Sequence, residues 1–471
     1  MVLELNVYTG IINYKGIEFT FSFDGEELRM IPPKDKKREV DMWFKTEMSP
    51  GVCSVNQSVY IESDFLEGTC NESGNGFIFI VSKNRPLGRY NSVLVVSVDA
   101  YIKKTLRCAT FDKIKFSSKE LNRIYMTNKA IEKSGWTEDG ELALHVKSFK
   151  DTATLPQEFT VDGKSVNVQF GIEAVNDGRK KQAPILLQTI MSFEFEATDD
   201  YNFIYKLWLT ARNFIQFLCY RMNVDFSNVK LASTFKAGTH LTSAEFHVLN
   251  VEDIAGEIKP VEKDWLIKYD YIAGKEGNIL TDIAKENLYL RHVPESYRSG
   301  RIINAARFVM ITAAFEWEVR RLFPEGIPKS NSAINIENEA SKAIDTLISE
   351  STGKLRKKYE FLKSLIPADT LQRKIIKASE KIDPIVGQFG RKLYELNELT
   401  LKYSEMGERI SKQRNNFAHG NLDQEFIGVS LCDLIYLEYI IYAMQLKCYD
   451  IDERNIQKAI NDLFHLNFLI Q

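Results

Sequence analysis

The first part of the chain repeatedly alternates hydrophobic and polar positions, the pattern of half-buried β-strands. In KGIEFTFSFDGEEL (15–28), apolar side chains occupy every second position before an Asp-Gly pair that suits a tight hairpin turn. The segment 157–175 has the same organisation around Asp162-Gly163. The apolar runs 76–82 and 92–102 predict further strands. Strands spaced in this way predict a β-sandwich or a β-barrel.

The pattern changes near residue 185. A strand-like run (185–197) is followed by an acidic start and an apolar stripe of helical period over 203–218, and strand-like sequence then returns. The stretch 252–300 mixes both patterns and is where we expect a domain boundary. We therefore predict a β-rich N-terminal domain over 1–185 and an α/β continuation of it over 186–290.

From about residue 300 the periodic segments are helical. Apolar residues repeat at helical spacing over 302–317, and a long apolar run (430–448) precedes a short amphipathic segment (454–469). The segment 387–418 predicts a single helix, because its apolar stripe steps by three and four residues. Four or more antiparallel helices form a bundle, which we place at 291–471. The predicted fold class is α+β, multidomain.

Composition indicates a soluble protein with more than one domain. The chain has 471 residues, of which 44% are hydrophobic and 27% charged, and a formal net charge of −3, so any site for a polyanion must be a local basic patch. The six cysteines contain no CxxC pair, which indicates reduced thiols in a cytoplasmic protein. The apolar run 430–448 contains Asp433 and Glu438, so we interpret it as a buried helix and expect no membrane partner.

The segment QRNNFAHGNL (413–422) closes the predicted helix and holds one of only six histidines. Arg414 is followed by four residues and then by His419, and Gly420 stands where a glycine often ends a helix. Five residues turn through about 500° in an ideal helix, so the two side chains do not share a narrow face. They meet in one cleft only if the last turn loosens or the long Arg414 side chain swings round.

These groups suit cleavage of RNA without a metal ion. The imidazole of His419 can exchange protons near neutral pH, as attack of a ribose 2′-OH on the neighbouring phosphorus requires. The guanidinium of Arg414 can oppose the charge that grows on the phosphate oxygens, and Asn415 can orient the imidazole or one of those oxygens. Because one histidine does not easily act as both base and acid, we expect a symmetric dimer to supply a second His419.

The remaining candidate chemistry is limited. Lys412 and Arg409 lie on the same predicted helix and are the expected RNA contacts. Cys53, Cys70 and Cys108 lack the spacing of a zinc site, and the sequence holds no phosphate-binding loop, GxSxG elbow or HExxH motif. We therefore predict no metal and no cofactor. A simpler interpretation stays open, in which the Arg-x4-His match is fortuitous and His419 only caps a helix.

Taken with the apolar segments FVMITAAFEWEVRRLFP upstream and LIYLEYIIYAMQLKCYDID downstream, Arg414-Asn415 and His419-Gly420 resemble the HEPN superfamily, specifically the ApeA-like HEPN proteins of bacterial anti-phage defence. The HEPN signature is an arginine, a polar residue, and a histidine four to six residues after the arginine. The resemblance covers about 300–471 and is weaker over 1–290, where it rests on strand-then-helix order and the block TIMSFEFEATDDYNFIYKLWL.

The resemblance implies a metal-independent endoribonuclease of an abortive-infection system, active as a homodimer, toxic to its own host when triggered, and acting on tRNA or other cellular RNA. Arg414, Asn415 and His419 take the catalytic roles by motif match. Glu316 is the candidate auxiliary group from the first helix, with Glu318 as its alternative. The N-terminal region is the expected receiver of a phage-derived trigger. The rival hypotheses are a non-catalytic HEPN protein that dimerises or binds RNA, and a partner of a separate nucleotidyltransferase.

Overall fold

The computed structural model describes residues 7–44, 48–49, 52–53, 58–136, 139–140, 142–176, 185–235, 239–249, 257–420, 426 and 428–470. The chain divides into two compact units, Met1–Lys285 and Glu286–Gln471, which we call the sheet unit and the helical unit. Within the described ranges, strands occur in the first unit, and the second is built from helices. The predicted α+β class, with a β-rich region followed by a helical one, is confirmed.

The strands of the described part of the chain lie in the sheet unit. They are β1 Tyr8–Tyr14, β2 Ile17–Phe23, β3 Leu28–Ile31, β4 Met48–Ser49, β5 Val52–Cys53, β6 Phe65–Cys70, β7 Gly76–Val81, β8 Gly88–Tyr90, β9 Val93–Val96, β10 Val98–Lys104, β11 Phe111–Ser117, β12 Ile131–Trp136, β13 Leu142–Val146, β14 Gln157–Val161, β15 Lys164–Asn176, β16 Ile185–Thr198, β17 Asn228–Thr234 and β18 His240–Val248.

Fourteen of these strands form one antiparallel sheet, in the order β14-β15-β16-β11-β17-β18-β10-β7-β6-β1-β2-β3-β9-β8. The short pairs β4-β5 and β12-β13 stand apart from it. Strands from the predicted segment 186–290 pair with strands from 1–185, since β16 lies between β15 and β11. Both expected hairpins are present, and the β14-β15 turn has Asp162 and Gly163 at φ of 50° and 77°, as a two-residue hairpin turn requires.

The alternating pattern of the first strands buries one face of the sheet. Phe19, Phe21 and Phe23 of β2 are fully buried, and Phe21 and Phe23 pack edge-on against Phe79 of β7. The polar residues between them face outward. The acidic start near residue 200 is a helix cap, because the Asp200 side chain accepts a hydrogen bond from the backbone N–H of Phe203.

The helices occupy both units. They are α1 Lys37–Met42, α2 Leu121–Ile124, α3 Tyr201–Cys219, α4 Ile258–Glu262, α5 Tyr269–Ile272, α6 Glu276–Ala284, α7 Tyr297–Gly300, α8 Ala305–Leu322, α9 Asn331–Ser349, α10 Gly353–Leu365, α11 Leu371–Glu395, α12 Tyr403–Ala418, α13 Val429–Lys447 and α14 Glu453–Leu463.

The helical unit is a bundle in which α8, α11, α12 and α13 pack against one another, with α14 against α11 and α13. The apolar helix α13 is its centre, and 83% of its most apolar window is buried inside the protein. By length and hydropathy it is the one candidate membrane span among the described residues. Its interpretation as a buried helix is confirmed, and such burial is consistent with a soluble protein.

The prediction of one continuous helix over 387–418 is wrong. The chain forms α11 and α12 instead, and the connection between them contains Glu398 in the left-handed region at φ 59°. Leu396, which the apolar stripe placed on the buried face, is 71% exposed. The apolar residues of 396–402 keep the spacing of a helix, but the backbone turns there. As a result, α12 folds back and packs against α11.

Candidate functional site

The Arg-x4-His motif lies at the C-terminal end of α12, as the sequence predicted. His419 is the first residue past the helix, and its backbone N–H donates to the carbonyl oxygen of Asn415 over 3.0 Å. Gly420 follows at φ 81°, a left-handed conformation that glycine adopts without strain. The last turn of α12 is therefore regular, and the loosening that would bring the two side chains together does not occur.

The buried face of α12 decides where the motif points. Phe417 is buried, and its ring packs edge-on against Phe308 of α8 at 5.4 Å between centroids. His419 lies two residues further on, about 200° round the helix, so its side chain is directed away from the core and is exposed. Lys412 and Asn415 are also exposed, and with His419 they occupy positions i, i+3 and i+7 of one stripe. We call these three residues the polar stripe.

Arg414 lies beside the polar stripe, on the side that faces α8. Its side chain is 41% exposed, and Nη2 donates to Oε2 of Glu316 over 3.4 Å. Its Nη1 is 3.4 Å from Oδ1 of Asn415. The structure thus brings together three of the predicted site residues: Arg414, Asn415 and Glu316.

Glu316 carries a second cation that the sequence did not single out. Nζ of Lys374, on α11, donates to Oε1 of Glu316 over 2.6 Å, while Arg414 contacts the other carboxylate oxygen. Two cations on one carboxylate leave a local charge of +1 around Glu316. Lys374 belongs to a basic cluster at 372–374, but no pattern in the sequence relates it to a glutamate 58 positions earlier.

The alternative auxiliary residue, Glu318, points into the core. It is fully buried, its carboxylate accepts from Nη1 of Arg321 over 2.7 Å, and a second oxygen accepts from Nε2 of Gln445 over 3.2 Å. Burial raises the pKa of the Glu318 carboxyl, and the Arg321 charge opposes that rise. Its position suits a structural ion pair and leaves Glu316 as the acidic group at the site.

Arg409 makes a different contact from the one expected of an RNA ligand. Its Nε and Nη2 donate to the two carboxylate oxygens of Asp433 on α13 over 2.7 and 2.8 Å. Asp433 is fully buried and also accepts from the hydroxyl of Tyr394 on α11. Hydrogen bonding to Asp433 raises the pKa of Arg409. The guanidinium therefore fastens α12 to α13, and an RNA contact from it stays a prediction.

His419 and Arg414 are not brought together within one chain. Among the described residues no hydrogen bond or ion pair joins them, and the regular last turn keeps them on different faces of α12. The end of α12 therefore exposes the imidazole of His419, the amide of Asn415 and the ammonium of Lys412 in one row. The guanidinium of Arg414 lies to the side of this row and is paired with the Glu316 carboxylate. Such a set can bind a phosphate and exchange protons with a group next to it.

The described residues contain no group of three or more histidine, cysteine or acidic side chains placed to hold a metal ion. The site's own groups are cations, amides and an imidazole, and the acidic residue among them is engaged by two cations. Comparison of the chain with models of protein families, with curated proteins and with solved structures finds no match.

Proposed function

We propose that the protein is a metal-independent endoribonuclease whose site is the C-terminal end of α12. The observation that carries this proposal is the polar stripe: Lys412, Asn415 and His419 stand in one exposed row, and Arg414 lies at its side. An imidazole among phosphate-binding cations is the arrangement that phosphodiester transfer needs in the absence of a metal.

In the proposed reaction the ribose 2′-oxygen attacks the adjacent phosphorus and the bond from phosphorus to the 5′-oxygen breaks. His419 accepts the 2′-hydroxyl proton or donates a proton to the departing 5′-oxygen. Arg414 and Lys412 oppose the negative charge on the non-bridging oxygens, and Asn415 orients the phosphate. The products are a 2′,3′-cyclic phosphate and a 5′-hydroxyl, and no water is consumed.

The reaction needs a proton acceptor and a proton donor, and each chain offers one imidazole at this place. A homodimer that brings two helix ends together would supply both, with two copies of Arg414. When a phosphate enters, the Arg414 guanidinium must exchange its 3.4 Å contact with Glu316 for the phosphate, and Lys374 would keep Glu316 satisfied. Glu316 is thus proposed to hold Arg414 near the site until RNA binds.

The biological setting proposed for this activity follows from the resemblance to ApeA-like HEPN proteins. The substrate is host RNA, with tRNA the expected target, and cleavage arrests the infected cell in the cytoplasm. The sheet unit is proposed to restrain the nuclease until a phage-derived trigger binds. Removing the sheet unit, 1–285, is expected to make the protein constitutively toxic, and unchanged toxicity of that truncation would count against a restraining role.

The central test compares wild-type protein with His419→Ala after induction in cells. We expect wild type to arrest growth and to yield RNA fragments ending in 2′,3′-cyclic phosphate, and the variant to lose cleavage by about 10²- to 10⁴-fold, the usual contribution of a general acid–base group. His465→Asn is the matched control, because His465 is an exposed histidine of the same unit at φ 55°, a conformation that asparagine tolerates. Equal toxicity of His419→Ala and wild type would exclude the nuclease.

A second candidate function is RNA binding or dimerisation without catalysis. It is favoured by one observation: Arg414 is already paired with Glu316 and lies on a different face of α12 from His419. In that case His419→Ala would leave every cellular effect unchanged, whereas Lys412→Glu would abolish binding of RNA. Quantitative RNA-binding measurements on both variants separate the two functions.

A further inference from the structure

Between α8 and α11 the chain forms a helical hairpin that contributes no buried side chain to the bundle core. It consists of α9 and α10, which pack against each other. None of their side chains is buried against the described part of the chain. On α9 the half-buried positions are 333, 337, 341, 344 and 348, a helical repeat that marks the face turned towards α10. A 19-residue helix and its partner therefore leave most of their surface to solvent.

One side of this hairpin is apolar. On α9 the exposed residues Ile336, Ala340, Ala343 and Leu347 are spaced by four, three and four, the repeat of a helix-packing seam. They lie about 90° from the face that contacts α10. On α10 the exposed leucines are Leu355, Leu362 and Leu365. Ile336 is 63% exposed and Leu355 55% exposed. We call these seven residues the apolar side.

The apolar residues of α9 and of α10 lie on the same side of the hairpin. An ion pair on the opposite side of the hairpin shows this. Lys363 of α10 contacts both carboxylate oxygens of Asp345 on α9 over 2.6 and 2.8 Å. Both residues sit on the other flank of their helix from the leucines and from Ile336. A second surface pair on that flank joins Arg356 to Glu360. The hairpin therefore has two different sides: one carries the ion pairs, and the other carries the seam residues of both helices together with Lys358.

The charges that border the apolar side differ between the two helices. Glu339 and Glu350 flank the seam of α9, whereas on α10 Lys354 flanks the leucines and Lys358 lies between Leu362 and Leu365 on the same face. The contact between Asp345 and Lys363 fixes the register of the two antiparallel helices. Glu350 lies five residues after Asp345 and Lys358 five residues before Lys363, so both lie at the same position along the hairpin axis. A two-fold axis parallel to the helices places α9 of one copy against α10 of the next. The glutamates of α9 in one copy then face the lysines of α10 in the other. A two-fold axis perpendicular to the helices would instead place α9 against α9 and α10 against α10, so that like charges face each other.

We propose that the apolar side is a docking surface for a second copy of this chain, which forms an antiparallel four-helix contact with α9 against α10 in both directions. The seams would interdigitate as in other four-helix assemblies, and Glu350 of each copy would pair with Lys358 of the other. This surface is separate from the polar stripe, and the proposal holds whether or not the protein cleaves RNA.

The area of the apolar side indicates how stable the proposed dimer should be. The 13 residues of α10 span about 20 Å, and two helices of about 10 Å width give a projected area of roughly 400 Å² per copy. Stable dimers usually bury about 800 Å² per partner, so the hairpin contact is small. A contact of this size is typical of weak, transient association, so the dimer is expected to dissociate on dilution.

Sedimentation velocity of the full chain over a hundredfold range of concentration tests the proposal. We expect reversible dimerisation that Ile336→Glu weakens by at least tenfold, because a carboxylate would be buried in the seam. Ile334→Glu is the matched control: it makes the same change on α9 but on the polar side, and it should dimerise like wild type. A monomer at every concentration, or equal effects of the two variants, overturns the proposal.

Charge reversal tests the orientation. Glu350→Lys and Lys358→Glu should each weaken the dimer, and the double variant should restore it, because the pair is then re-formed with its signs exchanged. Additive losses in the double variant overturn the parallel two-fold arrangement. If the hairpin instead serves RNA, Lys358→Glu will abolish RNA binding while Ile336→Glu leaves the sedimentation profile unchanged, which also overturns the proposal. Measuring RNA cleavage by Ile336→Glu and dimerisation by His419→Ala keeps this result separate from the nuclease proposal.

Discussion

Gly390 provides a sharp test of how the helical unit is packed. It lies on α11 where that helix crosses α13, and a Cβ atom added there would stand 2.4 Å from Cζ of Tyr436 and 2.5 Å from Cε2. The Tyr436 ring is fully buried, and its hydroxyl is 2.8 Å from the hydroxyl of Tyr403, the first residue of α12. Tyr403 in turn donates to Asp383 over 2.5 Å. The glycine thus permits a cluster that holds the start of α12.

In Gly390→Ala the ring must move by about 1 Å, because ordinary van der Waals contact begins at 3.4 Å and the new atom would lie at 2.4 Å. Overpacking a closed core typically costs about 1–3 kcal/mol, and a buried ring held by a hydrogen bond belongs at the upper end of that range. Alanine returns about 1 kcal/mol through its better helix propensity. We therefore expect a net loss of about 2 kcal/mol in the free energy of unfolding.

Hydrogen exchange followed by mass spectrometry measures this loss in peptides from α11, α12 and α13, where opening free energies can be compared between variants. The control is the same substitution in a Tyr436→Leu background. With the ring removed, Gly390→Ala should cost nothing and should gain up to about 1 kcal/mol from helix propensity. If Gly390→Ala costs the same in both backgrounds, the crossing is not limited by the Tyr436 ring and the reasoning fails.

Three further predictions concern the site and its support. Asp433→Asn removes the charge that holds Arg409, and we expect a loss of about 2 kcal/mol in urea unfolding, less than for a fully buried pair because Arg409 is partly exposed. Burial, then the charge of Arg307, lowers the pKa of His292 to about 3, so the folded protein excludes a proton that the unfolded chain binds below about 6.5. Stability should fall by about 1.4 kcal/mol per pH unit from 6.5 towards 3, and His292→Leu should flatten that slope in urea midpoints measured against pH. Gly420→Ala should destabilise the last turn of α12 by about 1 kcal/mol and Gly420→Asn by less, as measured by exchange of its amides.

Local patterns predicted several of the elements, and they failed where tertiary contacts decide. The hairpins, α3 and α13 follow from alternation, capping and an apolar run, all of which are short-range signals. The break between α11 and α12 does not, since its residues keep helical spacing and only the left-handed turn at Glu398 lets α12 return against α11. The order of fourteen strands in one sheet also depends on pairings between residues far apart in the chain, which no local pattern encodes.

At the candidate site, the sequence located the helix end but not its surroundings. Arg414, His419 and Gly420 are close in the chain, so a motif could find them, whereas Lys374 reaches Glu316 only through the packing of α11 against α8. The packing of Phe417 decides the direction of His419. Because its ring is fixed in the core, His419 is turned outward and away from Arg414. Any chemistry that uses both groups must therefore be completed by something outside the chain's own fold, either the RNA itself or a second copy of the helix end.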